Sequence, residues 1–139
     1  MSHSLSFDPA ELDLDVIHGF LTTSYWSPGI PRETVARAIA GSLCVGAYRE
    51  RRQIGFARVV SDRATFAYLA DVFVLEEARG EGIGRAMVRA LMEHPELQGL
   101  RRWFLATLDA HGVYEALGWQ PVAHPERLLE ITVPDIYRR

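Results

Sequence analysis

One stretch of the sequence, residues 69–85, constrains the fold and chemistry of this chain more than any other. It begins with an apolar strand pattern and ends in a helix pattern, with three alternating glycines between them, Gly80, Gly82 and Gly84. Glycines let the backbone approach a ligand closely. The first N–H groups of a helix have no internal partner and favour negative charge. The stretch therefore predicts a phosphate or pyrophosphate site, to which Arg79 and Arg85 add positive charge.

The glycine spacing excludes two common nucleotide-binding loops. A P-loop carries a Lys-Ser/Thr pair after its last glycine, whereas Arg85 and Ala86 follow Gly84 here. A dinucleotide fingerprint reads G-x-G-x-x-G, whereas residues 80–84 read G-x-G-x-G. Residues 79–84 instead contain the pattern R-x-x-G-x-G.

The order of hydrophobic patterns predicts a single α/β domain (with α+β character) over residues 1–139. Its sheet is expected to be mostly antiparallel, with helices on both faces. Asp109 is expected to cap the last helix. The predicted strands are 5–7, 43–48, 54–60, 65–74, 100–107 and 128–133, and the last of these closes the sheet. Residues 50–53 are predicted to form a turn. The predicted helices are 14–21, 31–41, 83–91 and 110–117.

Composition excludes several classes of protein. The net charge of −3 gives no basic surface for nucleic acid. No apolar run reaches the roughly 18 residues of a membrane span, and residues 1–4 lack a signal-peptide pattern, so a cytoplasmic location is expected. Cys44 is the single cysteine and is expected to be a buried structural thiol. The histidines show no metal-ligand spacing, so no metal is expected.

The pattern at 79–84, with the strand before it and the helix after it, resembles the acetyl-CoA loop of the GCN5-related N-acetyltransferase (GNAT) family. Residues 109–119 are similar to the family segment A-x-x-x-Y-x-x-x-G-F/W. The resemblance covers nearly the whole chain. It implies the acyl-CoA N-acyltransferase fold, in which two strands splay apart and the pantetheine arm of acetyl-CoA lies between them.

The same resemblance implies which residues bind acetyl-CoA. Backbone N–H groups of Val72, Phe73 and Val74 would pair with the pantetheine arm. Thr107 stands where the family often has an asparagine that binds this arm. The pyrophosphate would be held by Arg79, Gly80, Glu81, Gly82, Ile83, Gly84 and Arg85.

The implied reaction is direct attack of a primary amine of a small molecule on the thioester, in a ternary complex. Tyr114, a phenol, would be the general acid that protonates the departing thiolate. Asp71 is expected to bind a cationic substrate or to relay a proton, since a carboxylate is unusual in so apolar a strand. The alternative is a carboxylate that is satisfied by backbone N–H groups or by Arg58. Tyr25 and Trp26 would bind the amine by cation–π contact.

Other functions stay open at this stage. The chain could be a non-catalytic acyl-CoA sensor, which needs the glycines but neither Tyr114 nor Asp71. It could also acetylate protein N-termini or lysines, which needs an open groove. Ala70 stands where polyamine acetyltransferases often carry glutamate, so the acceptor is not identified as a polyamine. Relatives are often dimers, so a homodimer is also open.

Overall fold

The computed structural model describes residues 2–138, and its centre is a five-stranded sheet in the order β1-β2-β3-β4-β5. The strands are β1 Ser4–Ser6, β2 Leu43–Arg49, β3 Arg52–Ser61, β4 Phe66–Val74 and β5 Arg102–Phe104. The helices are α1 Leu14–Leu21, α2 Arg32–Ala40, α3 Ile83–Met92 and α4 His111–Glu115. Within residues 2–138, no helix has the length and apolar character needed to cross a membrane.

The pairing of the strands confirms the predicted α/β class with a mostly antiparallel sheet. Strands β1 to β4 are antiparallel neighbours, and only β5 pairs in parallel, with β4. The β2–β3 hairpin turns at Glu50 and Arg51, which both have positive φ. Two such residues match the twist of the flanking strands, so this turn is shorter than the predicted turn at 50–53.

Helices cover both faces of the sheet, as predicted. On one face, α3 packs Ile83, Met87 and Leu91 against buried strand residues. These residues recur every three or four positions, which gives the helix one apolar side. On the other face, α1 and α2 cover Phe56 and Phe73. The sheet therefore has a separate hydrophobic core on each face.

Three local predictions were wrong. Strand β5 is limited to Arg102–Phe104 rather than 100–107, because β4 and β5 diverge beyond that point. Ala110, not Asp109, is the N-cap of α4, and its N–H is bound by the Thr107 hydroxyl at 3.2 Å. Residues 128–133 form no strand and are exposed, since they pair with none of the five strands.

Gln53 links β3 to the start of α1 and is only 2% exposed. Its side-chain oxygen accepts from the Asp13 N–H at 2.7 Å, and its nitrogen donates to the Gly55 carbonyl at 3.0 Å. Asp13 in turn caps α1 through its own side chain. This buried amide therefore fixes where α1 begins relative to the sheet.

Replacing Gln53 with leucine is expected to lower the free energy of unfolding by about 1–3 kcal/mol. The change leaves the Asp13 N–H and the Gly55 carbonyl without their partner, and unpaired polar groups in a buried site are costly. Urea denaturation followed by circular dichroism measures the effect. An unchanged unfolding midpoint would show that water replaces the amide at no cost.

Candidate active site

A β-bulge in β4 lies at the centre of the candidate site. Phe73 pairs with Phe56 and Ala70 with Arg58, so Asp71 and Val72 together face the single residue Ala57. The extra residue bends the strand and interrupts its ladder. Asp71 has φ of 55°, a left-handed conformation that is uncommon for residues other than glycine.

The Asp71 side chain holds this bulge in place. One carboxylate oxygen accepts from Nε of Arg58 at 2.6 Å, and the other accepts from the indole Nε1 of Trp26 at 2.9 Å. The Arg58 and Asp71 side chains are 19% and 12% exposed, so this ion pair is largely shielded from water. Two charge-assisted hydrogen bonds thus offset the strained backbone at Asp71.

Beyond the bulge, β4 has a free edge that faces away from β3. Pairing between β4 and β5 ends at Tyr68 and Phe104. On the side of β4 that faces β3, the Leu75 N–H donates to the Ile54 carbonyl. The N–H groups of successive residues in a strand point alternately to its two sides. Val72 and Val74 therefore turn their backbone N–H groups to the open edge, whereas Phe73 faces β3.

The divergence of β4 and β5 opens a cleft of about 170 Å³. It brings together five of the predicted site residues: Tyr25, Trp26, Val72, Thr107 and Tyr114. Burial raises the pKa of the Tyr114 phenol, and the nearby Tyr25 adds to the increase. Tyr114 is therefore protonated at neutral pH and can donate a proton.

The glycine turn adjoins the same free edge. Gly80 and Gly82 have φ of 82° and 78°, and a Cβ on either would meet nothing within 4 Å. Gly82 is the N-cap of α3 and provides no side-chain cap, so the first N–H groups of that helix lack an internal partner. The turn is thus an open surface of backbone donors at the positive end of a helix.

Charged side chains surround this turn without covering it. Nε of Arg79 donates to the Val74 carbonyl at 2.9 Å, which fixes the arginine against the end of β4. The Glu81 carboxylate pairs with Arg49. Arg85 is exposed on the first turn of α3. The turn can therefore accept an anion, with two arginines beside it.

A second cavity, of about 250 Å³, adjoins the cleft on the far side of Tyr114. Thr107 and Tyr114 line both cavities, and His111 lines the larger one. Over residues 2–138, no cluster of three or more His, Cys, Asp or Glu side chains could hold a metal ion. Burial raises the pKa of Cys44 to about 11, so this buried thiol is not in its reactive thiolate form.

Sequence reasoning did not anticipate the hydrogen bond between Trp26 and Asp71. The two residues are 45 positions apart, and neither carries a local pattern that indicates the other. Arg58 is one of the alternative partners that the sequence analysis names for Asp71, and its Nε does donate to that carboxylate. The other indication in the sequence is that Asp71 is a carboxylate in an apolar strand, because such a group needs a hydrogen-bonding partner when it is buried.

Comparisons with known proteins agree on one family. Residues 40–121 match the family model described as an acetyltransferase (GNAT) domain. A provisionally named acetyltransferase of Gibberella zeae is 35% identical, over 76% of this chain and 71% of that protein.

Solved structures share the fold. A provisional GNAT-family acetyltransferase from Xanthomonas campestris pv. campestris is 48% identical, with a TM-score of 0.97, and the match covers 100% of this chain and 99% of that one. Glucosamine-6-phosphate N-acetyltransferase from Arabidopsis thaliana has a TM-score of 0.69 at 15% identity, covering 96% and 98% of the two chains. This second likeness concerns the fold alone.

Replacing Asp71 with asparagine is expected to lower the free energy of unfolding by about 1–3 kcal/mol. The change leaves the largely buried Arg58 without its counter-charge, although some water reaches the pair. Chemical denaturation measures the loss, and the Arg58→Met and double variants complete a double-mutant cycle.

The control is the pair formed by Arg32 and Asp15, whose side chains are 52% and 80% exposed. The change Asp15→Asn is expected to alter stability by no more than about 0.5 kcal/mol, since exposed pairs contribute little. Equal effects of the two substitutions would mean that the pair of Asp71 and Arg58 has no special role in holding the bulge.

Proposed function

Since the chain belongs to the GNAT acetyltransferase family, we propose that it transfers an acetyl group from acetyl-CoA to the primary amine of a small molecule. One observation carries the proposal. A cleft holds the free edge of β4 and a protonated phenol, Tyr114, and the same strand leads on to the open glycine turn at the start of α3.

The donor side of the cleft suits a CoA thioester. The pyrophosphate would be bound by N–H groups at the start of α3, with positive charge from Arg79 and Arg85. The open space above Gly80 and Gly82 supports this, because side chains there would fill the approach. The amide-containing pantetheine arm would pair with the free N–H groups of Val72 and Val74. Thr107, beside Tyr114, offers a hydroxyl to the same arm.

The acceptor side favours a small molecule over an extended peptide. The cleft holds only about 170 Å³, and Tyr25 and Trp26 lie along it. Their rings meet edge to face, with centroids 5.1 Å apart, so they form one aromatic wall. Such a wall can hold the alkyl part or the charged form of an amine. A peptide substrate would need a longer open groove.

The reaction requires a general acid, a hydrogen-bond donor that stabilises the oxyanion, and an amine that attacks in its neutral form. Tyr114 would protonate the departing thiolate, because its raised pKa keeps the phenol protonated. A free N–H on β4 would stabilise negative charge on the thioester oxygen. Each turnover forms one amide bond and breaks one thioester bond. Of the two protons that a substrate ammonium loses, one would pass to solvent and the other would restore the Tyr114 phenol.

Asp71 enters this proposal as a positioning residue. Both of its carboxylate oxygens already have partners, Arg58 and Trp26. It would therefore hold the bulge that exposes the β4 edge and keep Trp26 against the cleft. A direct role in taking the amine proton, which the sequence predicts as an alternative, would require one of these hydrogen bonds to open.

The deciding experiment measures thiol release from acetyl-CoA with a panel of amines, amino acids and short peptides, alongside acetyl-CoA binding by calorimetry. Release with small amines, and none with peptides, is the expected result. Tight binding without release for any acceptor would favour a sensor. Release only with peptides would favour a protein acetyltransferase.

The change Tyr114→Phe is expected to lower kcat about a hundredfold or more, since a positioned general acid contributes that much. The dissociation constant of acetyl-CoA is expected to stay within about twofold, because binding rests on the strand edge and the glycine turn. Because the pKa of Tyr114 is raised, wild-type activity would fall only above the ordinary tyrosine value of about 10.

The matched control is Tyr137→Phe, which removes the same hydroxyl outside the cleft and is expected to leave kcat unchanged. Steady-state rates between about pH 7 and 11 test both variants. If Tyr114→Phe retained full kcat throughout, the phenol would not be the acid.

The change Gly84→Ala tests the anion site. The added methyl group would make only ordinary contact with Val74, at 3.6 Å, so the fold is expected to be retained. It would, however, stand at the helix start where the pyrophosphate binds. The dissociation constant of CoA is expected to rise about tenfold, with that of pantetheine unchanged, because pantetheine lacks the pyrophosphate.

Isothermal titration calorimetry gives both constants. Gly19→Ala is the control, as it is the same exchange inside α1, where the methyl group meets nothing within 4 Å. An unchanged CoA affinity in Gly84→Ala would remove the glycine turn from the donor site.

A further inference from the structure

Glu81 is the acidic residue of the glycine turn, and its charge opposes the anion that the turn can accept. It is the single carboxylate in residues 79–85, where it stands between Gly80 and Gly82. It directly precedes the N-cap of α3. Carboxylates and phosphates are both favoured at a helix start, because both interact with its exposed N–H groups. An unpaired Glu81 would therefore compete with an anionic ligand for the same groups.

Arg49 binds the Glu81 carboxylate from the β2–β3 hairpin. It is the last residue of β2, and its Nη2 donates to Oε1 of Glu81. Its Nε donates a longer hydrogen bond to the Ser2 carbonyl, at 3.4 Å. The Arg49 and Glu81 side chains are 15% and 33% exposed. Because water screens such a partly shielded pair less than an exposed one, the two charges attract each other more strongly.

The position of this ion pair in the sheet is also informative. β2 lies on the β3 side of β4, whereas the free edge of β4 faces the β5 side. The Glu81 carboxylate is thus bound to a strand two places from β4. Gly80 and Gly82 have no side chain, so Glu81 provides the side-chain link between this part of the turn and the hairpin.

We propose that Arg49 is a positioning residue of the donor site. It binds and neutralises the Glu81 carboxylate, so that the N–H groups at the start of α3 stay open to an anion. The inference rests on the proposed function only in taking the pyrophosphate of CoA as that anion. Arg49 acts through Glu81 and needs no contact with the ligand. Arginine suits this role, because its guanidinium stays charged throughout the physiological pH range.

Calorimetric titration of Arg49→Met with CoA tests the proposal. The dissociation constant is expected to rise about tenfold or more, because the released carboxylate repels the pyrophosphate. In Arg49→Met/Glu81→Gln it is expected to return to within about threefold of the wild-type value, since glutamine carries no charge. Arg49→Lys keeps the positive charge and is also expected to stay within about threefold. The dissociation constant of pantetheine, which lacks the pyrophosphate, is expected to be the same in all four proteins.

The matched control is Arg52→Met, which removes the same charge from the other strand of the hairpin. Arg52 pairs with Glu77, three positions before Gly80, and the two side chains are 67% and 51% exposed. The dissociation constant of CoA is expected to change by no more than about twofold, because so exposed a pair contributes little. Equal losses in Arg49→Met and Arg52→Met would mean that only overall charge matters, and would overturn the proposal.

Three further results would contradict the role of Arg49. Unchanged CoA affinity in Arg49→Met would show that Glu81 does not oppose the ligand. A double variant as weak as Arg49→Met would show that Arg49 acts on the ligand or the turn without Glu81. Glu81→Gln alone, which leaves Arg49 in place, is expected to bind CoA at least as tightly as the wild type. Weaker binding there would show that the carboxylate itself supports the site.

Inorganic pyrophosphate, titrated in parallel, separates this inference from the proposed donor. A wild type that binds pyrophosphate but not CoA, with the expected order of affinities among the variants, would refute the donor and support the role of Arg49. A wild type that binds CoA, with no effect of Arg49→Met on either probe, would support the donor and refute the role of Arg49. A wild type that binds neither probe would overturn both.

Discussion

The ion pair between Arg58 and Asp71 is the interaction on which the rest of the site depends. It stabilises a left-handed residue in the middle of a strand, and that residue creates the bulge in β4. The pairing of β4 with β5 ends before this bulge, and the cleft lies where the two strands no longer pair. Asp71 also binds Trp26, so the same carboxylate ties the α1–α2 connection to the sheet. One side chain thus links backbone strain, strand geometry and the aromatic wall.

As a result of this geometry, backbone groups form one side of the site and side chains form the other. The free edge of β4 and the start of α3 offer N–H groups, which are present whatever the side chains are. The opposite wall is made of the side chains of Tyr25, Trp26 and Tyr114. A strand edge and a helix start converge only because the glycine turn between them is short and open.

The parts of the fold that the sequence predicted correctly are those with local causes. Helix α3 has a clear apolar period and glycines before it, and β4 is a continuous apolar run. The parts that it did not predict depend on distant partners. Whether residues 128–133 pair as a strand is decided by an edge elsewhere in the fold, and no local pattern reports that. The cleft could be located from the sequence, but the hydrogen bond that fixes Trp26 to Asp71 could not.

The absence of a side-chain cap at Gly82 affects which substitutions such a protein can accept as its sequence evolves. Backbone amides do not titrate and are not altered by most substitutions, so in the proposed reaction the hydrogen bonds that they make to the donor would survive most side-chain changes. The wall opposite consists of side chains alone, at Tyr25 and Trp26. A few substitutions there would redirect the chain to a different acceptor while its acyl donor stayed the same.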